Sequence, residues 1–148
     1  MIRTLRILPL ALVFAAPAMA QTLQPGMWEH SSTMTSAEIP GAPPEMMSAM
    51  LGQTNTTSSC ITQEQLDQGA EALFNQSNGQ CTYSEFSMES GHVSVAGTCN
   101  SPQGSANIAA TGTYTSTTYE SESTITASTP GGEMRMEVEG SGRRTGDC

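Results

Sequence analysis

The stretch from Cys81 to Cys99 limits what this chain can fold into more than any other part of the sequence. Two runs rich in aromatic and β-branched residues flank a short turn at 89–91, a pattern typical of a β-hairpin. If the turn centres on Ser90, Cys81 lies directly opposite Cys99. Opposed residues of an antiparallel pair approach to ~4.5 Å between Cα atoms, which a disulfide can span. The spacing therefore predicts a hairpin that carries its own disulfide.

The chain has four cysteines, all of them beyond residue 20: Cys60, Cys81, Cys99 and Cys148. An even number of cysteines in an exported chain indicates two disulfides, and four cysteines allow three pairings. The hairpin selects one bridge, and Cys60–Cys148 follows by elimination. The sequence contains no Cys-x-x-Cys motif, which favours structural bridges over redox chemistry.

Residues 1–20 have the pattern of a secretory signal peptide. Arg3 and Arg6 precede an apolar run over 7–16, and Ala18-Met19-Ala20 is a small-x-small cleavage site. We therefore expect one exported domain, residues 21–148. No other apolar run approaches the ~18 residues of a membrane span, so we expect none.

Without the signal peptide, the chain has a higher net negative charge and few residues that can form a hydrophobic core. Removing residues 1–20 leaves three arginines, no lysine and 14 acidic residues, a net charge of −11. This charge argues against nucleic acid and anionic lipid as partners. Leu, Ile, Val and Phe number 13 in the exported part, supplemented by eight methionines, so we expect a thin core that depends on its disulfides.

Alternating patterns predict the other strands. Strands are expected at 27–35, with Trp28 and His30 on one face, and at 54–61. After the hairpin, a turn at Ser116-Thr117 sets Tyr114 against Tyr119 and Ile108 against Ile125. A further turn over 129–132 sets Ile125 against Met136 and Ser123 against Val138. This register keeps one apolar face across three strands, which predicts a meander with one buried and one wet face.

Two segments have helix signals. Residues 43–52 begin with prolines and an acid and end with glycine, and they place Met46, Met47, Met50 and Leu51 on one side. Thr62 and Gln65 form a capping box that opens a predicted helix over 63–74, with Leu66, Ala70, Leu73 and Phe74 at helical spacing. We expect this second helix to pack over the apolar face or one end of the sheet.

Catalytic signatures are lacking in the sequence. It has no His-Glu-x-x-His motif, no Gly-x-Ser-x-Gly elbow, no Gly-rich phosphate loop and no lysine. The histidines are His30 and His92, and an enzyme would need one of them in a cleft beside an acid and a nucleophile. We expect a non-enzymatic protein without a cofactor.

Two residue groups are candidate binding sites. Thioether sulfurs suit Cu(I), and a copper site would use Met34, Met46, Met47 and Met50 with His30. The favoured alternative is that these methionines form an apolar stripe that packs on the sheet. Arg143-Arg144 is a candidate anion clamp, although successive strand residues face opposite ways, and pairing with Glu29 or Asp147 is favoured.

Three further motifs carry a family resemblance. Pro25-Gly-Met-Trp-Glu29 follows the signal, Cys60-Ile-Thr follows a segment rich in methionine and proline, and the chain ends Gly142-Arg-Arg-Thr-Gly-Asp-Cys148. Together, over most of 24–148, they resemble domain-of-unknown-function family 3617, small exported proteins of Gram-negative bacteria. The resemblance implies a periplasmic location and no activity.

The expected fold is mainly β: a single antiparallel curved sheet or small barrel of six to seven strands, with one or two short helices. The Trp28 strand is expected to pair beside the Arg143 strand and help closure. The expected function is binding of a small apolar ligand or association with an envelope protein. The ligand would occupy a cavity of 300 Å³ or more, beneath a lid at Met46–Leu51, beside small inward residues: Ala106, Ala110, Gly112, Ser121 and Ser123.

Overall fold

A computed structural model of the chain describes residues 22–69, 71 and 72, 80–101 and 104–148. The predicted signal peptide, residues 1–20, lies outside them. The described chain forms two short helices and seven strands. In chain order these are β1 Gly26–Glu38, α1 Pro44–Met50, β2 Thr54–Ile61, α2 Gln63–Asp67, β3 Gln80–Glu89, β4 His92–Ser101, β5 Gly104–Tyr114, β6 Thr118–Thr129 and β7 Gly132–Gly146. Neither described helix is long and apolar enough to cross a membrane.

The seven strands form one antiparallel sheet in the order β2-β1-β7-β6-β5-β4-β3. Strands β3 to β7 make the predicted meander, because each pairs with its neighbour in sequence. Strand β1 pairs with the far side of β7, the strand of Arg143, as expected, and Glu29 lies opposite Arg143. The sheet does not close, so of the two expected shapes the open sheet is present and β2 and β3 are its edges.

The β3–β4 hairpin confirms the predicted pairing of Cys81 with Cys99 and corrects the turn. Glu89 pairs with His92, which leaves a two-residue turn at Ser90 and Gly91 rather than one centred on Ser90. Both turn residues have positive φ, 53° and 79°, as a type I′ turn requires. A bulge between Tyr83 and Glu85 absorbs the one-residue shift, so the register is right at the cysteines and displaced at the turn.

The meander of β5, β6 and β7 has the predicted register. Tyr114 pairs with Tyr119 and Ile108 with Ile125. Ile125 in turn pairs with Met136, and Ser123 with Val138. Because side chains alternate along each strand, one face carries these mostly apolar residues, and we call it the apolar face. The opposite, polar face carries the alternating Ser, Thr and Glu residues.

The buried core is small and lies partly at the end of the sheet where β1 begins. Trp28 is fully buried, and Val95 and Tyr114 are nearly so, at 2% and 7% exposed. The Trp28 ring stacks on Tyr119 at 6.3 Å between centroids, and its Nε1 donates to the Gln24 carbonyl at 3.0 Å. The lead-in to β1 thus covers this end, while most of the apolar face is half-buried.

Both predicted disulfides are present, Cys81–Cys99 and Cys60–Cys148. The second joins the end of β2 to the last residue of the chain, with 5.7 Å between the Cα atoms. Met27 of β1 pairs with Cys60 on one side and Gly146 on the other. This bridge therefore crosses β1 and ties together three neighbouring strands.

The helices are shorter than the sequence predicts. Helix α1 leaves Met46 and Leu51 exposed, at 54% and 40%, while Met47 and Met50 are half-buried, so the expected stripe is divided.

Helix α2 has the predicted capping box, in which the Thr62 hydroxyl accepts from the Gln65 amide at 3.2 Å and Gln65 Oε1 accepts from the Thr62 amide at 2.8 Å. It ends at Asp67, before Gly69 at a φ of 93°, a left-handed conformation that glycine readily adopts and that interrupts a helix. Residues 71 and 72 are helical again, and Ala70, Leu73 and Phe74 lie outside the described chain.

Candidate polar trough and histidine network

The polar face carries two adjoining cavities of 420 and 560 Å³. They share Ser31, Thr113, Glu120 and Ser141, so they form one open depression across five neighbouring strands. We call it the polar trough. Its side chains are Glu29, Ser31 and Thr33 of β1, Thr54 of β2, Thr111 and Thr113 of β5, Thr118, Glu120 and Glu122 of β6, and Glu139, Ser141 and Arg143 of β7.

The trough combines short hydroxyl side chains with longer charged ones. Apart from Glu29, the trough side chains on β1, β2 and β5 are serine and threonine, which project little from the backbone. Glutamates on β6 and β7 project further. Glycines 112 and 140 contribute backbone surface to the lining. Since β7 and β6 lie between β1 and β5, the result is a surface with carboxylates along its middle and hydroxyl groups on both sides.

The charge of the trough is negative because its one cation is already paired. Arg143 donates from Nε and Nη2 to Oε1 of Glu29, at 2.9 and 2.8 Å. Among the described residues, Glu120, Glu122 and Glu139 form no ion pair. Glu122 and Glu139 are directly opposite each other on β6 and β7. Like charges directly opposite each other destabilise a sheet, so a cation bound here would relieve a repulsion within the fold.

The two arginines do not form an anion clamp. Arg143 lies on the polar face with Glu29. Arg144 lies on the other face, where its Nε donates to the Pro25 carbonyl at 2.7 Å and its Nη2 pairs with Asp147. Both arginines are therefore held by the internal partners that the sequence analysis favoured.

A second polar group, the histidine network, lies on the apolar face and joins three strands. His30 Nδ1 is 2.9 Å from the Tyr119 hydroxyl, and His30 Nε2 is 2.9 Å from Ser59 Oγ. Gly142 separates His30 from Tyr119 in the sheet, and a Cβ at this glycine would overlap the Tyr119 ring. Glycine at this position lets the tyrosine lie across β7 and reach β1.

Burial alters the acidity of two members of the network. It lowers the pKa of His30 from its ordinary value, because the charged imidazolium loses hydration. It raises the pKa of Tyr119, because the phenolate would be poorly solvated. The folded environment thus favours the neutral form of both groups. Tyr119 contributes to the lining of the smaller cavity, although its side chain lies on the apolar face, and Ser59 and His30 line neither cavity. The partners of His30 are hydroxyls rather than an acid.

The copper alternative is not favoured. Both ring nitrogens of His30 already have hydrogen-bond partners. Met34 lies four residues further along β1, about 13 Å at the usual strand rise. In the part of the chain that the structure describes, no group of three or more His, Cys, Asp or Glu residues could hold a metal ion.

The cavities differ in place from the expected ligand site, because both open on the polar face. Of the expected lining residues, Gly112 and Ser121 line the larger cavity, whereas Ala106, Ala110 and Ser123 line neither. Helix α1, the expected lid, lines neither cavity. The apolar cavity expected from the sequence is therefore not among these two, and the trough was not predicted, because alternation identifies a polar face without showing where it is recessed.

A family model described as "Protein of unknown function (DUF3617)" matches residues 23–148. No curated protein and no solved structure matches the chain.

Proposed function

The chain belongs to the family DUF3617, whose description assigns no activity, and from this premise we propose that it is an exported, non-enzymatic binding protein whose polar trough holds a cationic ligand. The observation that carries the proposal is the trough itself. It combines cavities of 420 and 560 Å³ with three glutamates that lack ion-pair partners among the described residues. These volumes are in the range of small-molecule sites.

The chemistry of the lining defines the ligand class. Threonine and serine hydroxyls donate and accept hydrogen bonds, whereas ionised glutamates only accept them. A ligand with several ammonium or guanidinium groups would supply donors to Glu120, Glu122 and Glu139. Such charge-assisted hydrogen bonds are shorter and stronger than neutral ones. The lining thus supports a polar ligand rather than the apolar one that the sequence suggested.

Export to the periplasm is supported by two independent features. The first 20 residues have the composition of a cleavable signal peptide. Cys60–Cys148 and Cys81–Cys99 are both formed, and disulfides persist in oxidising compartments. The absence of an enzymatic role is supported by the position of the histidine network, which lies on the face opposite the trough.

The proposal is tested by titrating mature protein, residues 21–148, with spermidine in calorimetry at low and high salt. The variant Glu122→Gln/Glu139→Gln removes the opposed carboxylates of the trough. The matched control Glu89→Gln/Glu133→Gln removes the same charge from exposed positions outside it. We expect the trough variant to bind at least roughly tenfold more weakly, because charged hydrogen bonds are lost, and the control to bind almost as well as wild type. Equal weakening in both variants would show attraction by net charge alone and overturn the proposal.

Native mass spectrometry of protein purified from the periplasm without detergent tests the ligand class separately. A polar, positively charged adduct that high salt removes is the expected result. An adduct that organic extraction removes instead would support the apolar ligand expected from the sequence, and it would contradict the assignment of the trough as the binding site.

A further inference from the structure

The two edges of the sheet differ in how they are protected against pairing with another strand. Edge strands are commonly blocked by charges, prolines or bulges. Strand β3 has a bulge between Tyr83 and Glu85, and it carries Glu85 and Glu89. Strand β2 has none of these features. It is an uncharged run of eight residues that pairs with β1 without a shift in register.

The inner side of β2 is held to β1 by side-chain contacts, so its outer side is already in the extended conformation that an added strand would pair with. Hydroxyl groups bridge β1 and β2 at Ser31–Thr56 and Thr33–Thr54, over 3.1 and 2.8 Å. Ser59 bonds to His30, and the disulfide of Cys60 fixes the end of the strand. In the described part of the chain, β2 has a neighbour in the sheet only on its β1 side. Its outward amides and carbonyls are therefore available to an added strand.

The edge is continuous with the polar trough. Thr54 of β2 lines the larger cavity together with Thr33 of β1. Every second side chain of a strand added beside β2 would project on the polar face, at the mouth of the trough. Glu139 on β7 lies three strand spacings, roughly 14 Å, from such an added strand, so only long side chains that extend across β2 and β1 would reach it.

We propose that β2 binds an extended basic peptide as an eighth strand of the sheet, with lysine or arginine at alternate positions facing the polar side. This inference rests on the proposed function, since it names the class of cationic ligand. Main-chain hydrogen bonds would provide affinity and alternate side chains would provide selectivity, as in other cases of strand addition.

Charge favours such a peptide over a second copy of the chain. The protein has 14 acidic residues against five arginines, two of which lie in the predicted signal peptide. Two copies that met at β2 would bring two acidic domains together, and their repulsion opposes association. A basic segment gains from the same field. Because β2 itself is uncharged, it does not repel a peptide whose side chains carry either sign of charge.

The test uses two peptides on mature protein. One is an acetylated, amidated octapeptide of alternating lysine and threonine. Its twin is N-methylated at every peptide nitrogen, which keeps the charges and removes the donors needed for strand pairing. Calorimetry is expected to give at least roughly tenfold tighter binding for the unmodified peptide. Hydrogen exchange should show new protection at alternate amides of β2 and no change at β3.

Two variants locate the site. Thr56→Lys places a positive charge on the exposed β2 edge, and Thr82→Lys places the same charge on the exposed β3 edge. We expect the β2 variant to weaken peptide binding and the β3 variant to leave it near the wild-type value. Far-ultraviolet circular dichroism checks that both variants remain folded.

The outcomes separate this inference from the proposed function. If both peptides and spermidine bind equally well, the trough binds cations and strand addition is wrong. If neither the peptides nor spermidine bind, both proposals are wrong. If sedimentation shows a dimer that Thr56→Lys dissociates, β2 pairs with a second copy and the basic peptide is not its occupant.

Discussion

At the scale of single residues, the contact between Tyr119 and His30 bridges β6 and β1 across the intervening β7. Tyr119→Phe removes the hydroxyl and leaves His30 Nδ1 without this partner in a half-buried site. We expect a loss of about 1–2 kcal/mol in the free energy of unfolding, the usual cost of such an orphaned group. Urea denaturation measures it. Tyr114→Phe, the same atom change on β5, serves as the control, and an equal loss in both variants would contradict a special role for the network.

The same residue predicts a dependence of stability on pH. The pKa of His30 is lowered by burial from its ordinary value of 6.5. As the pH falls, His30 therefore takes up a proton at a higher pH in the unfolded chain than in the folded chain. The contribution of neutral His30 to the stability of the fold is fully present above the unfolded pKa and is lost as the pH drops through the folded pKa. Urea midpoints between pH 8 and pH 5 should fall more steeply for wild type than for His30→Gln. Parallel slopes for the two proteins would disprove this origin of the pH dependence.

At the scale of elements, the β3–β4 hairpin has a turn whose two residues both have positive φ. Gly91→Ala should lower the free energy of unfolding by about 1–2 kcal/mol, because a Cβ disfavours this conformation. Ser90→Asn should raise it by roughly 0.5 kcal/mol, because Asn-Gly is the preferred type I′ pair. Thermal unfolding of both variants measures the two shifts. Destabilisation by Ser90→Asn would argue against the assigned turn.

The hairpin also shows how far the sequence predicts this structure. Two cysteines at matching distances from a turn, together with alternating residues, determine which ends pair. They do not reveal the bulge between Tyr83 and Glu85, because one extra polar residue looks the same on a strand as in a turn. For helix α2, the sequence predicts the start through the capping box. It does not predict the end, because the break at Gly69 depends on a backbone angle that composition does not report.

The polar trough and the histidine network also differ in how much of each the sequence predicts. Alternation alone assigns Glu122 and Glu139 to the polar face. The sequence signal for their direct opposition is the turn at 129–132, which sets the register of β6 against β7. The contact between Ser59 and Tyr119 through His30 needs the pairings of β2, β1, β7 and β6 together, and none of these is local. Residue contacts that cross several strands are therefore the part that sequence reasoning misses.

At the scale of the whole molecule, stability depends on cross-links because few side chains are fully buried. Trp28, Val95 and Tyr114 are the buried hydrophobic residues within the described ranges. Seven strands in an open sheet leave much of the apolar face half-exposed, and the acidic charge adds self-repulsion. A disulfide acts against both effects by restricting the unfolded chain rather than by adding contacts.

The two bridges should therefore contribute unequally. Cys60–Cys148 spans 88 residues and Cys81–Cys99 spans 18. In the chain-entropy relation the longer loop stabilises the fold by ~4.6 kcal/mol and the shorter by ~3.2 kcal/mol. We expect Cys60→Ser/Cys148→Ser to lower the urea midpoint further than Cys81→Ser/Cys99→Ser. The first variant should also increase hydrogen exchange in β1, β2 and the end of β7, because that bridge joins them. A larger loss from the hairpin variant would mean that the hairpin, and not the closure around β1, determines the stability of the sheet.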